Sequence, residues 1–188
     1  PEAGIVCHEK AVAHLIDPRR LWEGSLKTLG HVAEVYGEIK PVAGERIVTD
    51  DWIDFGSGIR AIDTPGHAPH HLCFVFENEF FCGELFGIFQ DLNPGIYLRP
   101  ATPPRFLADA FFTSMDRVAP YIDRTIRFAH HGSHPNGREI LRQGRQQLEL
   151  WIDIIREHAD NPDMDKLISA LTQRDPIYNR INELPPKV

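Results

Sequence analysis

The sequence predicts a mixed α/β fold (α+β), because short β-type runs and helical segments alternate along the chain. Runs rich in branched and aromatic residues, bounded by turn residues, predict strands at 5–7, 47–48, 52–53, 59–62, 72–76, 80–81 and 125–129. Apolar residues at helical spacing predict helices at 18–30 and 106–119, and through most of residues 139–188.

The composition is that of a globular protein. The chain has 188 residues, of which 42% are hydrophobic and 25% charged, so we expect one domain over residues 1–188, with residues 139–188 as its helical C-terminal portion. The formal net charge of −7 argues against nucleic acid as a partner, and no apolar run is long enough to cross a membrane. Three cysteines without a CxxC pair favour small buried side chains in a reducing, cytoplasmic compartment.

Local signals support the elements of the first third of the chain. Residues 5–7 are apolar and predict a short buried strand. Asp17 is a candidate cap for the helix at 18–30, with Pro18 at the first helical position. The segment 37–44 has the composition of a loop.

The middle of the chain is rich in predicted strands. Turn residues at 56–58 and 77–79 separate neighbouring strands. The run 72–76 is apolar throughout, which predicts a strand covered on both faces.

The remaining elements are a loop and a series of helices. The proline-rich segment 90–104, with a turn signal at Asn93-Pro94-Gly95, predicts a long irregular loop of the kind that often borders an active site. A helix at 106–119 and a strand at 125–129 follow. Asn161-Pro162 and Asp175-Pro176 each combine a capping residue with proline at the first helical position, which predicts two further helix starts.

Three polar segments follow apolar runs and contain residues suited to metal binding. In Thr64-Pro65-Gly66-His67, proline fixes φ and glycine permits a tight turn, which holds the imidazole just past a strand end. Cys82-Gly83-Glu84 follows the next apolar run, and Ala129-His130-His131-Gly132 follows a third. The order of these segments predicts a metal centre of histidine and carboxylate ligands.

The candidate ligands are His67, Glu84 and His130, and we expect His71 and His131 to be hydrogen-bonding partners of those ligands. Two other interpretations stay open: His67 as a turn histidine satisfied by hydrogen bonds, and Glu84 as a solvated surface carboxylate. The expected cofactors are divalent metal ions, with zinc favoured and iron or manganese as alternatives.

Such a centre would lower the pKa of a bound water and make hydroxide available for hydrolysis near neutral pH. The sequence contains no GxSxG, Walker or GxGxxG motif that would support a competing chemistry.

These three segments, in this order, resemble motifs of the metallo-β-lactamase superfamily. Thr64-Pro65-Gly66-His67 is similar to the family's TPGH turn, whose histidine binds the first metal. Phe81-Cys82-Gly83-Glu84 is similar to the F-x-G-D segment, whose aspartate bridges both metals, and His130-His131-Gly132 to the closing H-x-G segment, whose first histidine binds the second metal. The resemblance implies an αββα sandwich with the site at the edge where strand ends meet.

The resemblance covers roughly residues 5–160 and departs from the family pattern twice. The family's HxHxDH motif, which supplies most of the metal ligands, is absent, so the sequence resembles the later two thirds of the domain. Either the sequence is part of a longer chain or the protein has lost that half. Glu84 also stands where the family usually has aspartate, which is one methylene shorter.

The expected function is therefore that of a metal-dependent hydrolase acting on an ester, thioester, amide or phosphoester of a small molecule. The alternative is a non-catalytic metal-binding or sensing protein on the same fold, including a di-iron oxygen-binding form. Tyr97, Arg99 and Arg105 are candidate contacts for an anionic substrate, or else ordinary surface groups. The apolar faces of the C-terminal helices pack either on their own domain or on a second subunit, which leaves a homodimer open.

Overall fold

A computed structural model describes residues 3–49, 58–102 and 106–185. They form strands and helices in alternation, so the predicted mixed α/β class is confirmed. The chain divides into two compact units, Pro1–Asp54 and Phe55–Val188. That these units form one domain stays a prediction. The strand predicted at 52–53 and most of the turn at 56–58 lie outside the described residues.

The first unit combines a small parallel ribbon with helices. Its described elements are β1 (Ile5–Val6), α1 (Val12–Ile16), α2 (Arg19–Leu29), α3 (His31–Tyr36) and β2 (Ile47–Val48), with β1 and β2 paired. The helix predicted at 18–30 is present, but it begins at Arg19 with Pro18 as its N-cap residue, so the predicted cap at Asp17 was one residue early. The Asp17 carboxylate accepts a hydrogen bond from the Arg19 amide at 3.3 Å. The expectation that 5–7 is buried was wrong, because Val6 is 39% exposed in a ribbon of only two strands.

The strands of the second unit are β3 (Arg60–Asp63), β4 (Leu72–Phe76), β5 (Glu79–Gly83), β6 (Ile88–Asp91), β7 (Ile96–Arg99), β8 (Thr125–Phe128) and β9 (Ser133–His134). Five of them form one sheet in the order β3-β4-β5-β8-β9, and β6 pairs with β7. Within the sheet, β5 and β8 are parallel and the other neighbours antiparallel. Consequently β3, β5 and β8 all run in the same direction.

The prediction that 72–76 is covered on both faces was wrong. Cys73 and Val75 are buried, whereas Phe74 on the opposite face is 38% exposed. The reason is that β4 lies in a sheet whose buried face packs against helices, while its other face stays open to solvent among the described residues. Run composition alone does not distinguish this arrangement from a fully covered strand.

The prediction of an irregular loop at 90–104 was wrong over residues 90–99, which belong to an antiparallel hairpin of β6 and β7 that begins at Ile88. Residues 103–104 lie outside the described residues. The predicted turn at Asn93-Pro94-Gly95 is confirmed as the connection of that hairpin. Pro94 lies in the turn and Pro100 follows the last residue of β7, so neither proline interrupts the strand pairing.

The helices of the second unit are α4 (Ala108–Val118), α5 (Gly137–Glu157) and α6 (Met164–Arg174). The predicted helices at 106–119 and after 139 are therefore confirmed. Asp163, rather than Asn161, caps α6, with its carboxylate accepting from the Lys166 amide at 3.1 Å. Beyond Asp175 the chain forms the 3₁₀ helix Tyr178–Glu183 instead of a further α-helix.

The main hydrophobic core lies between the buried face of the five-stranded sheet and the helices α4 and α5. It is formed by side chains from both layers, including Cys73, Phe80 and Ile126 from the sheet and Met115 and Ile140 from the helices. None of the helices that the structure describes is both long and apolar enough to pass through a bilayer.

Candidate metal centre

The three predicted ligands lie at one edge of the five-stranded sheet. His67, Glu84 and His130 each follow the C-terminal end of a strand, β3, β5 and β8 respectively. These strands run in the same direction, so their C-terminal ends meet at the same edge. The Ala129 amide donates to the Gly83 carbonyl at 3.3 Å, which joins the ends of β5 and β8 directly before Glu84 and His130.

The Glu84 carboxylate lies between the two imidazoles. Its Oε2 is 3.0 Å from Nδ1 of His67, and its Oε1 is 2.7 Å from Nε2 of His130. Nδ1 of His67 is also 3.2 Å from the carbonyl oxygen of Ala101, just past β7. The arrangement therefore makes Glu84 the common contact of both histidines.

These contacts alter the protonation of the pair formed by His67 and Glu84. The hydrogen bond from His67, followed by the one from His130, lowers the pKa of Glu84 to about 2, although burial opposes the change. The hydrogen bond to Glu84 raises the pKa of His67 above its usual value, again against burial. Glu84 is therefore a carboxylate at neutral pH, able to accept hydrogen bonds or bind a cation.

The turn that carries His67 is held by α4. The Ser114 hydroxyl donates to the Pro65 carbonyl at 2.7 Å. Gly66 has a φ of 146°, and a Cβ at that position would lie 2.6 Å from Cδ2 of Phe111. Glycine is needed here both for its backbone conformation and for the close approach of the helix.

His71 supports the site from within the sheet. Its Nε2 accepts a hydrogen bond from the Glu84 amide at 3.0 Å, so Nδ1 carries the proton and faces the hydroxyl and carbonyl oxygens of Thr64 at 2.8 and 3.1 Å. Burial, followed by the proximity of His67, lowers the pKa of His71, which keeps the ring neutral as this arrangement requires. Gly83 has no side chain to collide with the His71 ring, and its φ of 53° suits glycine.

The other predicted polar residues are placed less directly. His131 is exposed, with a φ of 60° and its ring centroid 6.4 Å from that of His130. Tyr97 is 2% exposed, so the prediction that it contacts substrate was wrong: it faces inward from β7, where its ring is near that of Tyr178. Arg99 donates to the Pro100 carbonyl at 3.5 Å, and Arg105 lies outside the described residues.

The contribution of Ala101 to this site was not predictable from the sequence. Its carbonyl oxygen contacts His67, but a main-chain carbonyl is available from any residue type. Nothing in the sequence could therefore have marked this position.

Two imidazoles and a carboxylate have the chemistry of a zinc or iron site. Ligand atoms on one tetrahedral zinc lie about 3.3 Å apart, and the two contacts of Glu84 measure 3.0 and 2.7 Å. The contacts are thus shorter than a shared zinc requires, and they use Nδ1 of His67, so Nε2 is the nitrogen of that ring which they leave for a metal. As described, they are hydrogen-bonded to one another, and within residues 3–49, 58–102 and 106–185 no group of three His, Cys, Asp or Glu is arranged to hold a metal ion.

Comparison with known proteins supports the same family. No family model matches the chain. A metallo-β-lactamase fold-containing protein of Sulfurisphaera tokodaii is 28% identical over 145 residues, which span 72% of this chain and 54% of that protein. The crystal structure of that same archaeal protein, ST1585 of Sulfolobus tokodaii, superposes with a TM-score of 0.64 at 25% identity, covering 78% of this chain and 59% of that one. The chain has the metallo-β-lactamase fold.

A second structure with the metallo-β-lactamase fold agrees. The metallo-β-lactamase family protein of Thermus thermophilus gives a TM-score of 0.61 at 20% identity, covering 90% of this chain and 60% of that one. The resemblance inferred from the three motifs is therefore confirmed. The chain spans about half the length of the curated relative that it matches, 54%.

Proposed function

We propose that this chain contributes His67, Glu84 and His130 to the metal centre of a metallo-β-lactamase-type hydrolase. The observation that supports the proposal most directly is the meeting of the three side chains around the Glu84 carboxylate, at 3.0 and 2.7 Å, at one sheet edge. A bound divalent metal, with zinc favoured over iron or manganese, would supply an activated water for attack on an ester, thioester, amide or phosphoester of a small molecule.

The chain's own residues hold this centre in position. Glu84, ionised at neutral pH, neutralises positive charge between the imidazoles of His67 and His130. His71 binds the Glu84 amide and thereby restrains the carboxylate from the main-chain side. Ser114 and Gly66 restrain the turn before His67.

The test compares metal content and hydrolysis in the wild-type protein, in His67→Ala and in His134→Ala as a control. His134 lies in the same sheet, but its Nδ1 accepts from the Asn136 amide at 3.2 Å and is not in contact with Glu84. We expect His67→Ala to weaken zinc binding at least about 100-fold, because a ligand is lost rather than a supporting group. Metal content is measured by elemental mass spectrometry, and activity on thioesters and phosphodiesters with and without chelator.

Equal metal content and equal turnover in wild type and His67→Ala would contradict the proposal. A wild-type protein that binds metal through His67 but hydrolyses nothing on the panel would favour the alternative, a metal-binding or sensing protein. That alternative is motivated by Glu84, which stands where the family usually has aspartate and is one methylene longer, so the distances of a bridging carboxylate would change.

A further inference from the structure

A buried polar network joins α5, β7 and the C-terminal segment. Gln147 is 4% exposed and Asp175 2% exposed. Burial of an amide and a carboxylate is unfavourable unless both are hydrogen-bonded. Apolar side chains of similar size would usually stabilise the core equally well. The segments that these two residues hold in place therefore indicate why polar side chains are buried here.

Asp175 is the anchor of the network. Its Oδ1 accepts from the amides of Ile177 and Tyr178 at 3.0 and 2.9 Å. Its Oδ2 accepts from Nε2 of Gln147 at 2.8 Å and from Nε1 of Trp151 at 2.6 Å. Four donors thus fix the carboxylate in one orientation.

Gln147 transmits this anchoring to β7. Its Nε2 donates both to Asp175 and to the Leu98 carbonyl, the latter at 2.7 Å. Both partners are acceptors, so the amide nitrogen must face them. Its Oε1 is buried without a hydrogen-bond partner among the described residues, so the amide is oriented to hold Leu98 at the expense of its own oxygen.

The held strand leads directly to the candidate metal centre. Leu98 precedes Ala101 by three residues, and the Ala101 carbonyl is 3.2 Å from Nδ1 of His67. On the other side of the strand exit, Gly87 approaches the Arg99 carbonyl so closely that any side chain at residue 87 would collide with it. The exit of β7 is therefore restrained from two sides.

We infer that Gln147, anchored by Asp175, is a positioning residue for His67. It fixes the position of the Ala101 carbonyl. That carbonyl and the Glu84 carboxylate both accept hydrogen bonds from the Nδ1–H group of His67. Both neighbours of Nδ1 are acceptors, so the neutral ring carries its proton there and presents Nε2 as the nitrogen available to a metal. The orientation of the His67 ring is a property of the metal-free protein. Only its consequence for metal binding rests on the proposed function.

The test is nitrogen NMR of the histidine rings in the metal-free protein at a pH high enough for the His67 ring to be neutral, with the His67 signals assigned by their loss in His67→Ala. Gln147→Met keeps the length of the side chain but cannot donate to Leu98. The matched control is Trp151→Phe, which removes a different hydrogen bond to the same oxygen of Asp175 and does not involve β7. Glu84 keeps the proton on Nδ1 of His67 in every variant. We therefore expect the chemical shift of that nitrogen to be unchanged in Trp151→Phe and altered in Gln147→Met, where the Ala101 carbonyl is displaced.

If both variants change the His67 signals, or if neither does, the inference is overturned. Should Gln147→Met fail to fold, Gln147→Asn provides the same comparison, because its shorter amide cannot reach Leu98 and Asp175 together. A parallel titration with Zn²⁺ alone should show about tenfold weaker binding in the Gln147 variant than in Trp151→Phe. Absence of zinc binding in wild type would contradict the proposed function, while the NMR comparison would still decide the role of Gln147.

Discussion

At the scale of single residues, Glu84 determines the electrostatics of the site. Its side chain is 21% exposed and contacts two imidazoles at once, one through each carboxylate oxygen. Because each oxygen contacts a different histidine, the carboxylate is placed either to bridge two metal ions or to bind a single one. Neighbouring His71 is neutral and bonded at both ring nitrogens, so it restrains Glu84 without competing for a metal.

The metal-free protein should show a pH-dependent contribution of Glu84 to stability. The folded-state pKa of Glu84 is about 2, below the usual 4.5, so its contribution is present above pH 4.5 and is lost as the pH falls toward 2. The pKa of His67 is raised, so the contribution of His67 is present below its usual value of 6.5 and is lost as the pH rises through the higher folded value. The destabilisation caused by Glu84→Gln should therefore be largest near pH 5, about 2 kcal/mol.

Urea unfolding between pH 3 and pH 8 would measure this difference, with Glu149→Gln as a control at an exposed carboxylate. The control should change the free energy of unfolding by less than about 0.5 kcal/mol at every pH. A Glu84→Gln difference that does not vary with pH would show that the ion pair with His67 does not form.

At the scale of secondary-structure elements, the site depends on strand direction and on one helix. Since β3, β5 and β8 run the same way, three separate segments place their polar residues at one edge. Helix α4 then fixes the turn before His67 through Ser114 and through its close approach to Gly66. The element that restrains the site is therefore distant in sequence from the residue it restrains.

Substitution of Gly66 should test this restraint. A Cβ at Gly66 would lie 2.6 Å from Cδ2 and 3.0 Å from Cα of Phe111, at a φ of 146°. We expect Gly66→Ala to lower the free energy of unfolding by about 2–3 kcal/mol. The control is Gly144→Ala within α5 of the same unit, where the added Cβ would make only ordinary contacts with Phe86, at 3.8 Å or more, and which should raise stability by about 0.5–1 kcal/mol.

Thermal or urea denaturation distinguishes the two glycine variants. Similar effects of Gly66→Ala and Gly144→Ala would show that the packing of α4 against the turn is not tight. If Gly66→Ala alone keeps its fold but binds metal differently, the effect of the substitution lies in the turn before His67.

At the scale of the whole molecule, the two compact units differ in how much apolar surface they bury. Nearly all buried hydrophobic residues belong to the second unit, and within the described part of the first unit Ala33 alone is in that class. Val35 and Tyr36 on α3 are 71% and 82% exposed. Because burial of apolar surface is the main source of stability, the second unit should be the more stable.

Hydrogen exchange measured by mass spectrometry would test this difference. Helices α2 and α4 are suitable for comparison, because both have 11 residues. We expect the amides of α2 to exchange through openings that require several kcal/mol less than those of α4, whose Phe111, Met115 and Val118 are buried. Equal protection of the two helices would mean that the first unit is stabilised by contacts beyond its own residues.

Much of the candidate site could be predicted because its signals are local. The turn before His67 is encoded by Pro65 and Gly66, and the positions of Glu84 and His130 after apolar runs required only the chain order. The helix at 18–30 was predictable for the same reason. That these residues act as metal ligands stays a prediction.

Local sequence was sufficient to specify most of the strands, turns and helices, and the family whose motifs they resemble. Packing in three dimensions was needed to leave Phe74 exposed, to bury Tyr97 and to form a hairpin within 90–104. It also brought the Ala101 carbonyl to His67 and Gln147 to Leu98, contacts 34 and 49 residues apart. Local sequence patterns reflect the backbone conformation of each segment, whereas these contacts depend on how distant elements pack against one another. No short stretch of sequence contains that information.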